Sequence, residues 1–124
     1  MKEWRRKHPR VKCFFPPPSS IAVLMHLQNT PIKDDSWGTI IDISVGGIGI
    51  ETRTPVKVGQ TLYLTFSISQ NFTFANTKGV IRRFTLNDIY YTCGIEFDLL
   101  VDKQHLEDAI AYLAEVEQQQ NPKR

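Results

Sequence analysis

The chain has 124 residues, of which 41% are hydrophobic and 23% charged, and its formal net charge is +2. This length and balance are ordinary for one soluble globular domain with a modest core. No stretch approaches the roughly 18 apolar residues that a membrane-spanning helix requires, and no apolar segment of signal-peptide length follows the basic N-terminus. We therefore expect a cytoplasmic protein without membrane insertion. The two cysteines, Cys13 and Cys93, form no disulfide framework, and Cys93 is expected to be a buried hydrophobe.

The positive charge is concentrated at the N-terminus. Residues 1–12 carry six lysines and arginines against Glu3, a net of +5, whereas the whole chain is +2, so the remainder is about −3. A cationic tail of this kind usually meets an anion, such as nucleic acid, phospholipid or a phosphorylated small molecule. Residues 1–20 have no sustained hydrophobic period and contain three consecutive prolines, so we predict a flexible basic arm over this range.

The body of the chain, residues 21–118, begins with segments typical of β-strands. Residues 61–69 show the clearest alternation, with leucine, phenylalanine and isoleucine on one face and polar or amphipathic residues on the other. Short strands at this spacing, joined by turn residues, favour an antiparallel barrel or sandwich. The expected strands are residues 21–28, 37–44, 48–53, 61–69, 72–84 and 88–97.

The last element changes from the strand period to the helical period. Asp102 is a suitable N-cap, and apolar residues then recur at helical spacing while acidic residues face away. We predict a helix over about residues 102–118 that lays its apolar stripe across an open end or seam of the sheet, with a polar tail at 119–124. The stripe consists of Leu106, Ala109, Ile110, Leu113 and Val116.

Two short motifs carry the functional prediction: Arg6-x-x-x-Arg10 and Asp42-x-Ser44-x-x-Gly47. Each alone is weak evidence. An arginine pair is common in a basic tail or nucleic-acid tether, and an aspartate and a serine at a strand end often form local side-chain hydrogen bonds. In this order and spacing within one β-rich chain, the two motifs resemble the PilZ domain family, bacterial receptors for the second messenger cyclic di-GMP.

The resemblance rests on R-R-K-H-P-R at residues 5–10 and D-I-S-V-G-G at residues 42–47, and it extends to about residue 116. It implies a stand-alone, six-stranded antiparallel β-barrel with a C-terminal α-helix. It also implies a nucleotide-binding receptor in second-messenger signalling, with no enzymatic activity and no resident cofactor. Residues 12–20, with their three prolines, depart from the family pattern, because this stretch is longer and stiffer than expected before the first strand.

Arginine suits the chemistry of cyclic di-GMP, which offers two phosphodiesters and two guanines. The guanidinium fork matches phosphate oxygens with two parallel hydrogen bonds, pairs with the O6 and N7 edge of guanine and stacks on the purine face. Arg6 and Arg10 can therefore contact either phosphate or base. In this family an arginine at the position of Arg5 is associated with binding an intercalated dimer of the ligand.

The second motif complements the arginines. Asp42 can accept hydrogen bonds from guanine N1–H and N2–H or hold an arginine in position, and Ser44 can donate to a phosphate oxygen or accept from the base. With a strand period of two, Asp42 and Ser44 fall on the same face. Gly46 and Gly47 are able to adopt positive φ and to leave room for close approach of the ligand.

The predicted site therefore has one half in the arm and one half on the barrel. Ligand binding is expected to order the arm, at an entropic cost, and to create a surface that regulates an unidentified partner protein in motility, exopolysaccharide export or attachment. Some members of the family place a base-stacking side chain after the positions of residues 80–81, which implies Arg82 here, although strand alternation does not decide between Arg82 and Arg83. The predicted cyclic di-GMP-binding residues are Arg5, Arg6, Arg10, Asp42, Ser44, Gly46, Gly47 and Arg82.

Two alternatives remain open from the sequence. PilZ-like adaptors that bind only protein generally lack the arginine motif, which is intact here. A small barrel that binds single-stranded nucleic acid predicts basic residues over the barrel face, whereas here they lie in the arm. An enzyme or metal site is not expected, because Ser44 is outside any G-x-S-x-G turn and His8, His26 and His105 lack ligand spacing. His105 is expected to be exposed on the helix.

Overall fold

The computed structural model describes residues 21–28, 36–98 and 102–116 in full, and the backbone of residues 11–12 and 117–120. Seven strands and one helix lie within these ranges. They are β1 (Val11–Lys12), β2 (Ala22–Leu27), β3 (Ser36–Ile43), β4 (Gly47–Thr52), β5 (Thr61–Ser69), β6 (Phe72–Asn87), β7 (Tyr90–Phe97) and α1 (Lys103–Gln120).

Six of these strands close into an antiparallel barrel. Around the barrel the neighbours are β2, β3, β4, β7, β6 and β5, and β5 pairs back onto β2. Closure removes the unpaired strand edges that an open sheet would present. The predicted fold, a six-stranded antiparallel barrel with a C-terminal helix, is confirmed.

Strand alternation places one set of apolar side chains inside the barrel. In β5, Leu62, Leu64 and Phe66 are at most 3% exposed, as the sequence pattern predicted. They join a single core cluster to which every barrel strand and α1 contribute. Cys93 belongs to this cluster, and burial raises the pKa of its thiol from 9.0 to about 11. The thiol therefore stays protonated and unreactive at neutral pH.

The helix α1 begins where the sequence predicted. The N–H of His105 donates to Oδ1 of Asp102 at 3.1 Å, and the N–H of Leu106 donates to the Asp102 carbonyl at 3.1 Å, which confirms the N-cap. Leu106 and Leu113 are buried against the barrel. The expectation that His105 is exposed is wrong: its ring is half-buried, 4.6 Å from the ring of Phe74, because the first helical turn lies over the hairpin of β5 and β6.

β1 lies beside the end of β3, with Lys12 opposite Asp42. The other edge of β3 pairs with β4, where Asp42 faces Gly49. β1 therefore runs along the edge of β3 that β2 also uses, and it brings the middle of the arm, residues 11–12, beside the Asp42 motif. Residues 1–10 and 13–20 lie outside the described residues, so the flexibility of the arm stays a prediction.

β6 and β7 form a hairpin that projects beyond the barrel. β6 pairs with β5 only up to Val80 but continues along β7 to Asn87, which faces Tyr90. The strand is thus longer than predicted. Its turn is tight, with Asp88 in the left-handed region at φ 62°. Every residue from 82 to 90 is exposed.

Candidate functional site

Ser44 builds the turn between β3 and β4. Its N–H donates to the Gly47 carbonyl at 2.8 Å, and its Oγ accepts the Gly46 N–H at 3.3 Å. The Ser44 hydroxyl also lies 3.5 Å from the Gly47 carbonyl oxygen, and the residue is 4% exposed. The side chain therefore holds the turn through local hydrogen bonds. Of the two polar residues in the motif, the half-buried Asp42 presents more of its surface to solvent.

Gly47 is required by packing and not by its backbone dihedral angles. Among the described glycines only Gly59 has φ in the left-handed region, so Gly46 and Gly47 do not use the positive φ that glycine permits. A β-carbon at Gly47 would instead collide with the carbonyl oxygen of Ile95 on β7. The glycine allows β4 and β7 to approach closely at the start of their pairing, which fixes the position of the turn.

A bulge in β3 directs Asp42 to the outside of the barrel. Ile40 pairs with Ile50 and Asp42 with Gly49, so Ile41 is the extra residue. Ile50 points into the core, and Gly49 next to it therefore faces outward. A methyl group at Gly49 would lie 2.7 Å from Oδ1 of Asp42, which shows that the carboxylate lies over this glycine.

A second bulge, in β6, positions Arg83 in the same way. Ile81 pairs with Ile95 and Arg83 with Gly94, so Arg82 is the extra residue. Gly94 faces outward because its neighbours in β7 are buried. A methyl group at Gly94 would lie 3.1 Å from Cγ, Nε and Cζ of Arg83. The arginine side chain therefore lies across Gly94.

One row across four strands is formed by Asp42, Gly49, Gly94 and Arg83. Gly49 and Gly94 pair with each other, so the row runs from Asp42 on β3 to Arg83 on β6. With strands about 4.8 Å apart, its two ends are roughly 14 Å from each other. At one end the Asp42 carboxylate lies over Gly49, and at the other end the Arg83 side chain lies over Gly94. We call this row the glycine platform.

Arg82 has a different environment from Arg83. Its Nε donates to Oε1 of Glu96 at 2.5 Å, and both side chains are partly exposed. Glu96 pairs with Gly47, so this ion pair lies two residues along β7 from Gly94 of the glycine platform, on the side of the β3–β4 turn. The pairing register of β6 and β7 therefore distinguishes the two arginines, which strand alternation in the sequence could not do. Arg83 lies on the platform and Arg82 lies beside it.

The sequence interpretation missed Gly49 and Gly94, and it did not decide between Arg82 and Arg83. A usable signal was present, because Gly49 stands between two buried isoleucines and Gly94 between Cys93 and another isoleucine. A glycine at an outward strand position contributes no cross-strand side-chain contact and often marks close approach of another group. Arg5, Arg6 and Arg10, the arm half of the predicted site, lie outside the described residues.

Other candidate sites are weaker. A groove of about 440 Å³ beside α1 is lined by residues 73–78, Asp98, Asp102 and His105. Its charges are engaged in part, since Lys78 Nζ lies 3.9 Å from Asp98 and the His105 ring contacts the Thr73 carbonyl. Within the described ranges no group of three or more histidine, cysteine, aspartate or glutamate side chains is arranged to hold a metal ion. In the same ranges no helix is both long and apolar enough to cross a membrane.

Solved structures with the same fold come from several bacteria. The PilZ domain of Escherichia coli YcgR, solved with c-di-GMP, superposes with a TM-score of 0.75 at 16% identity, covering 97% of this chain and 99% of that one. Klebsiella pneumoniae MrkH in its c-di-GMP complex superposes with a TM-score of 0.69 at 18% identity, covering 97% of this chain and 56% of the MrkH chain. The Bacillus subtilis inhibitor of motility MotI gives 0.64 at 17%, covering 97% and 54%.

The chain thus spans about half the length of the MrkH and MotI chains, and 50% of a longer YcgR chain. No curated protein sequence matches it. The sequence pattern described as the PilZ domain matches residues 5–115, which include both motifs and all of the barrel. This chain belongs to the PilZ domain family.

Proposed function

We propose that this chain is a receptor for cyclic di-GMP, which it binds between the N-terminal arm and the glycine platform. The observation that carries the proposal is the opposed pair, Asp42 and Arg83, lying over two glycines beside β1, the short strand within the arm. Family membership supports it, as does the presence of c-di-GMP in the YcgR and MrkH complexes.

The platform offers groups that suit guanine and phosphate. The Asp42 carboxylate can accept hydrogen bonds from N1–H and N2–H of guanine. The Arg83 guanidinium can pair with O6 and N7 of a base or with a phosphodiester. Gly49 and Gly94 keep both side chains low against the sheet, so that a planar base can lie over them without meeting a branched side chain. The ion pair of Arg82 and Glu96 borders the platform on the side of the β3–β4 turn.

The arm is anchored close enough to complete the site. Lys12 pairs with Asp42, so Arg10 lies two residues from the platform along the chain. Arg6 lies five residues before Val11, and an extended chain of that length reaches about 17 Å. Arg6 can therefore reach any part of a row roughly 14 Å long, whereas Arg10, one residue before Val11, lies near the end of the row at Asp42. Arg5 would extend the arm's contacts if two stacked ligand molecules are bound.

The signalling step follows from ordering of the arm. Fixing the arm over the ligand has an entropic cost, which lowers the affinity relative to the contacts made. The surface then formed by arm, ligand and barrel is absent from the unliganded protein and can be recognised by a partner protein that acts in motility, polysaccharide export or attachment. Ser44 and Gly47 contribute by holding the turn that positions Asp42.

Isothermal titration calorimetry with cyclic di-GMP tests the proposal. Arg6→Ala and Arg10→Ala should each weaken binding by roughly 1.5–3 kcal/mol, because each removes charge-assisted hydrogen bonds. Arg53→Ala is the matched control, since Arg53 is exposed outside the platform and arm, and it should bind normally. A stoichiometry of two ligands per chain would support the role given to Arg5.

Cyclic di-AMP is the matched control ligand. Adenine has an amino group where guanine has O6, so the arginine fork loses an acceptor and cyclic di-AMP should bind far more weakly. Equal affinity for the two dinucleotides, or normal affinity in both arm variants, would refute the proposed recognition. An oligonucleotide that displaces the ligand with a steep dependence on salt would instead favour a nucleic-acid-binding barrel.

A further inference from the structure

The projecting part of β6 has one strand edge without a neighbour in the described part of the chain. β5 pairs with β6 only up to Val80, and the loop before β5 bonds Ile81, through the Gly59 N–H at 2.7 Å and the Gln60 carbonyl at 3.0 Å. Beyond this point β6 pairs with β7 alone. Among the described strands and loops, nothing therefore pairs with the second edge of residues 83–87.

The hydrogen-bonding groups on that edge belong to two apolar residues. The hairpin is closed by two residues, so the flanking pair Asn87 and Tyr90 is hydrogen bonded and Asn87 directs its N–H and C=O toward β7. Because direction alternates along a strand, Leu86 and Phe84 direct theirs to the open edge. An edge that is merely protected from pairing usually carries charges at such positions. Here the side chains are apolar, and they are 53% and 38% exposed.

We propose that two copies of this chain pair through this edge, β6 against β6, about a two-fold axis at Thr85. In that register Phe84 faces Leu86 of the second copy, and all four free N–H and C=O groups of each chain find partners. Thr85 faces Thr85 of the second copy on the opposite side of the sheet, a cross-strand pair that is favourable in antiparallel sheets. A two-fold interface requires this kind of self-complementary surface.

Charge and length fit the same register. Arg82 faces Asp88 of the second copy, so opposite charges meet at both ends of the paired segment. The open edge stops at Ile81, which is bonded to the loop before β5. In the proposed register the hairpin turn of the second copy also lies opposite Ile81, so the partner strand fits without displacing that loop. Val58, in that loop, is 62% exposed and would contact Ile89 of the second copy, which is 53% exposed. The contact covers apolar surface that the single chain leaves open.

Sedimentation velocity of the purified chain over a wide concentration range tests the pairing. The expected result is a species of about twice the 14.3 kDa chain mass that Leu86→Pro abolishes. Proline removes an N–H that the single chain does not use and blocks the edge, which strands tolerate at such positions. Tyr112→Lys, which removes an exposed aromatic residue on α1, is the control and should leave the dimer intact.

Cross-linking supplies a readout that does not depend on the stability of the variant. In a Cys13→Ser background, Thr85→Cys should form a disulfide between two copies under mild oxidation, because the two-fold pair brings the β-carbons within about 5.5 Å. Ser67→Cys, exposed on β5 away from the proposed edge, should form no disulfide between copies. A chain that stays monomeric at all concentrations, a dimer that Leu86→Pro leaves intact, or equal cross-linking of the two cysteine variants would overturn the proposal.

Discussion

The two hairpins that share β6 make opposite use of similar residues. In the hairpin of β5 and β6, Phe74 is 5% exposed, stacks on Phe66 at 4.9 Å and is covered by α1. In the hairpin of β6 and β7, Phe84 contacts Tyr91 at 5.5 Å but remains 38% exposed, because no element covers it within the described residues. The covered hairpin contributes to the core, whereas the open one leaves apolar surface exposed.

The largest expected effect separates the two phenylalanines by stability. Phe74→Ala should lower the free energy of unfolding by about 3–5 kcal/mol, since it leaves a cavity in the core. Phe84→Ala should lower it by about 1 kcal/mol or less, as substitutions at exposed positions usually do. Urea denaturation of the two variants measures both values. Equal losses would mean that the open hairpin is as well covered as the other.

The second expected effect separates two adjacent arginines by affinity. Arg83→Ala should weaken cyclic di-GMP binding by roughly 1.5–3 kcal/mol, because it removes a guanidinium from the glycine platform. Arg82→Ala should have a smaller effect, since Arg82 is bonded to Glu96 beside the platform. Calorimetric titration of each variant checks the order. If Arg82→Ala is the more damaging change, the ligand lies nearer the β3–β4 turn than proposed.

The third prediction contrasts two glycines of the same strand. Gly47→Ala should lower the free energy of unfolding by about 1–3 kcal/mol, because the methyl group meets the rigid carbonyl of Ile95. Gly49→Ala meets only the end of the Asp42 side chain, so stability should change little while affinity for cyclic di-GMP falls about tenfold, or about 1.4 kcal/mol. Thermal unfolding and calorimetry on both proteins are needed. A stability loss without an affinity loss in Gly49→Ala would count against the platform.

The smallest expected effect tests α1, the helix that covers the hairpin of β5 and β6. Asp102→Ala removes the N-cap of α1 and should lower the free energy of unfolding by about 1 kcal/mol. Glu107→Ala, an exposed acidic position in the same helix, is the control and should have almost no effect. Both variants should bind cyclic di-GMP normally, because Asp102 lies beside residues 73–78 and Glu107 is not a platform residue. Differential scanning calorimetry gives the stabilities.

Much of the fold was predictable because it depends on local periodicity. The alternation at Leu62, Leu64 and Phe66 and the helical spacing after Asp102 each report burial directly. The N-cap was predictable for the same reason, since a side chain and its backbone partner lie three residues apart. His105 was not, because its burial depends on Phe74, which is distant in the chain.

The site was only partly predictable, because it is set by pairing between distant strands. The motif identified Asp42, but the residue it lies over, Gly49, became visible only with the register of β3 and β4. Arg83 could not be distinguished from Arg82, since the bulge that separates them leaves no local sequence pattern. The role of Ser44 in holding the turn also became visible only in the structure, while its predicted contact with the ligand stays a prediction.

The two bulges have a consequence for how chain length can vary in this family. Each places one surplus residue, Ile41 or Arg82, immediately before a residue of the platform, while the pairing on either side continues in the same register. Deleting the surplus residue would give a regular strand that still points Asp42 or Arg83 outward, whereas inserting a second residue would reverse that direction. Single-residue deletions at 41 and 82 should therefore preserve the barrel and the platform. We expect sequence lengths to differ among relatives at these two positions while the adjacent acidic and basic residues remain.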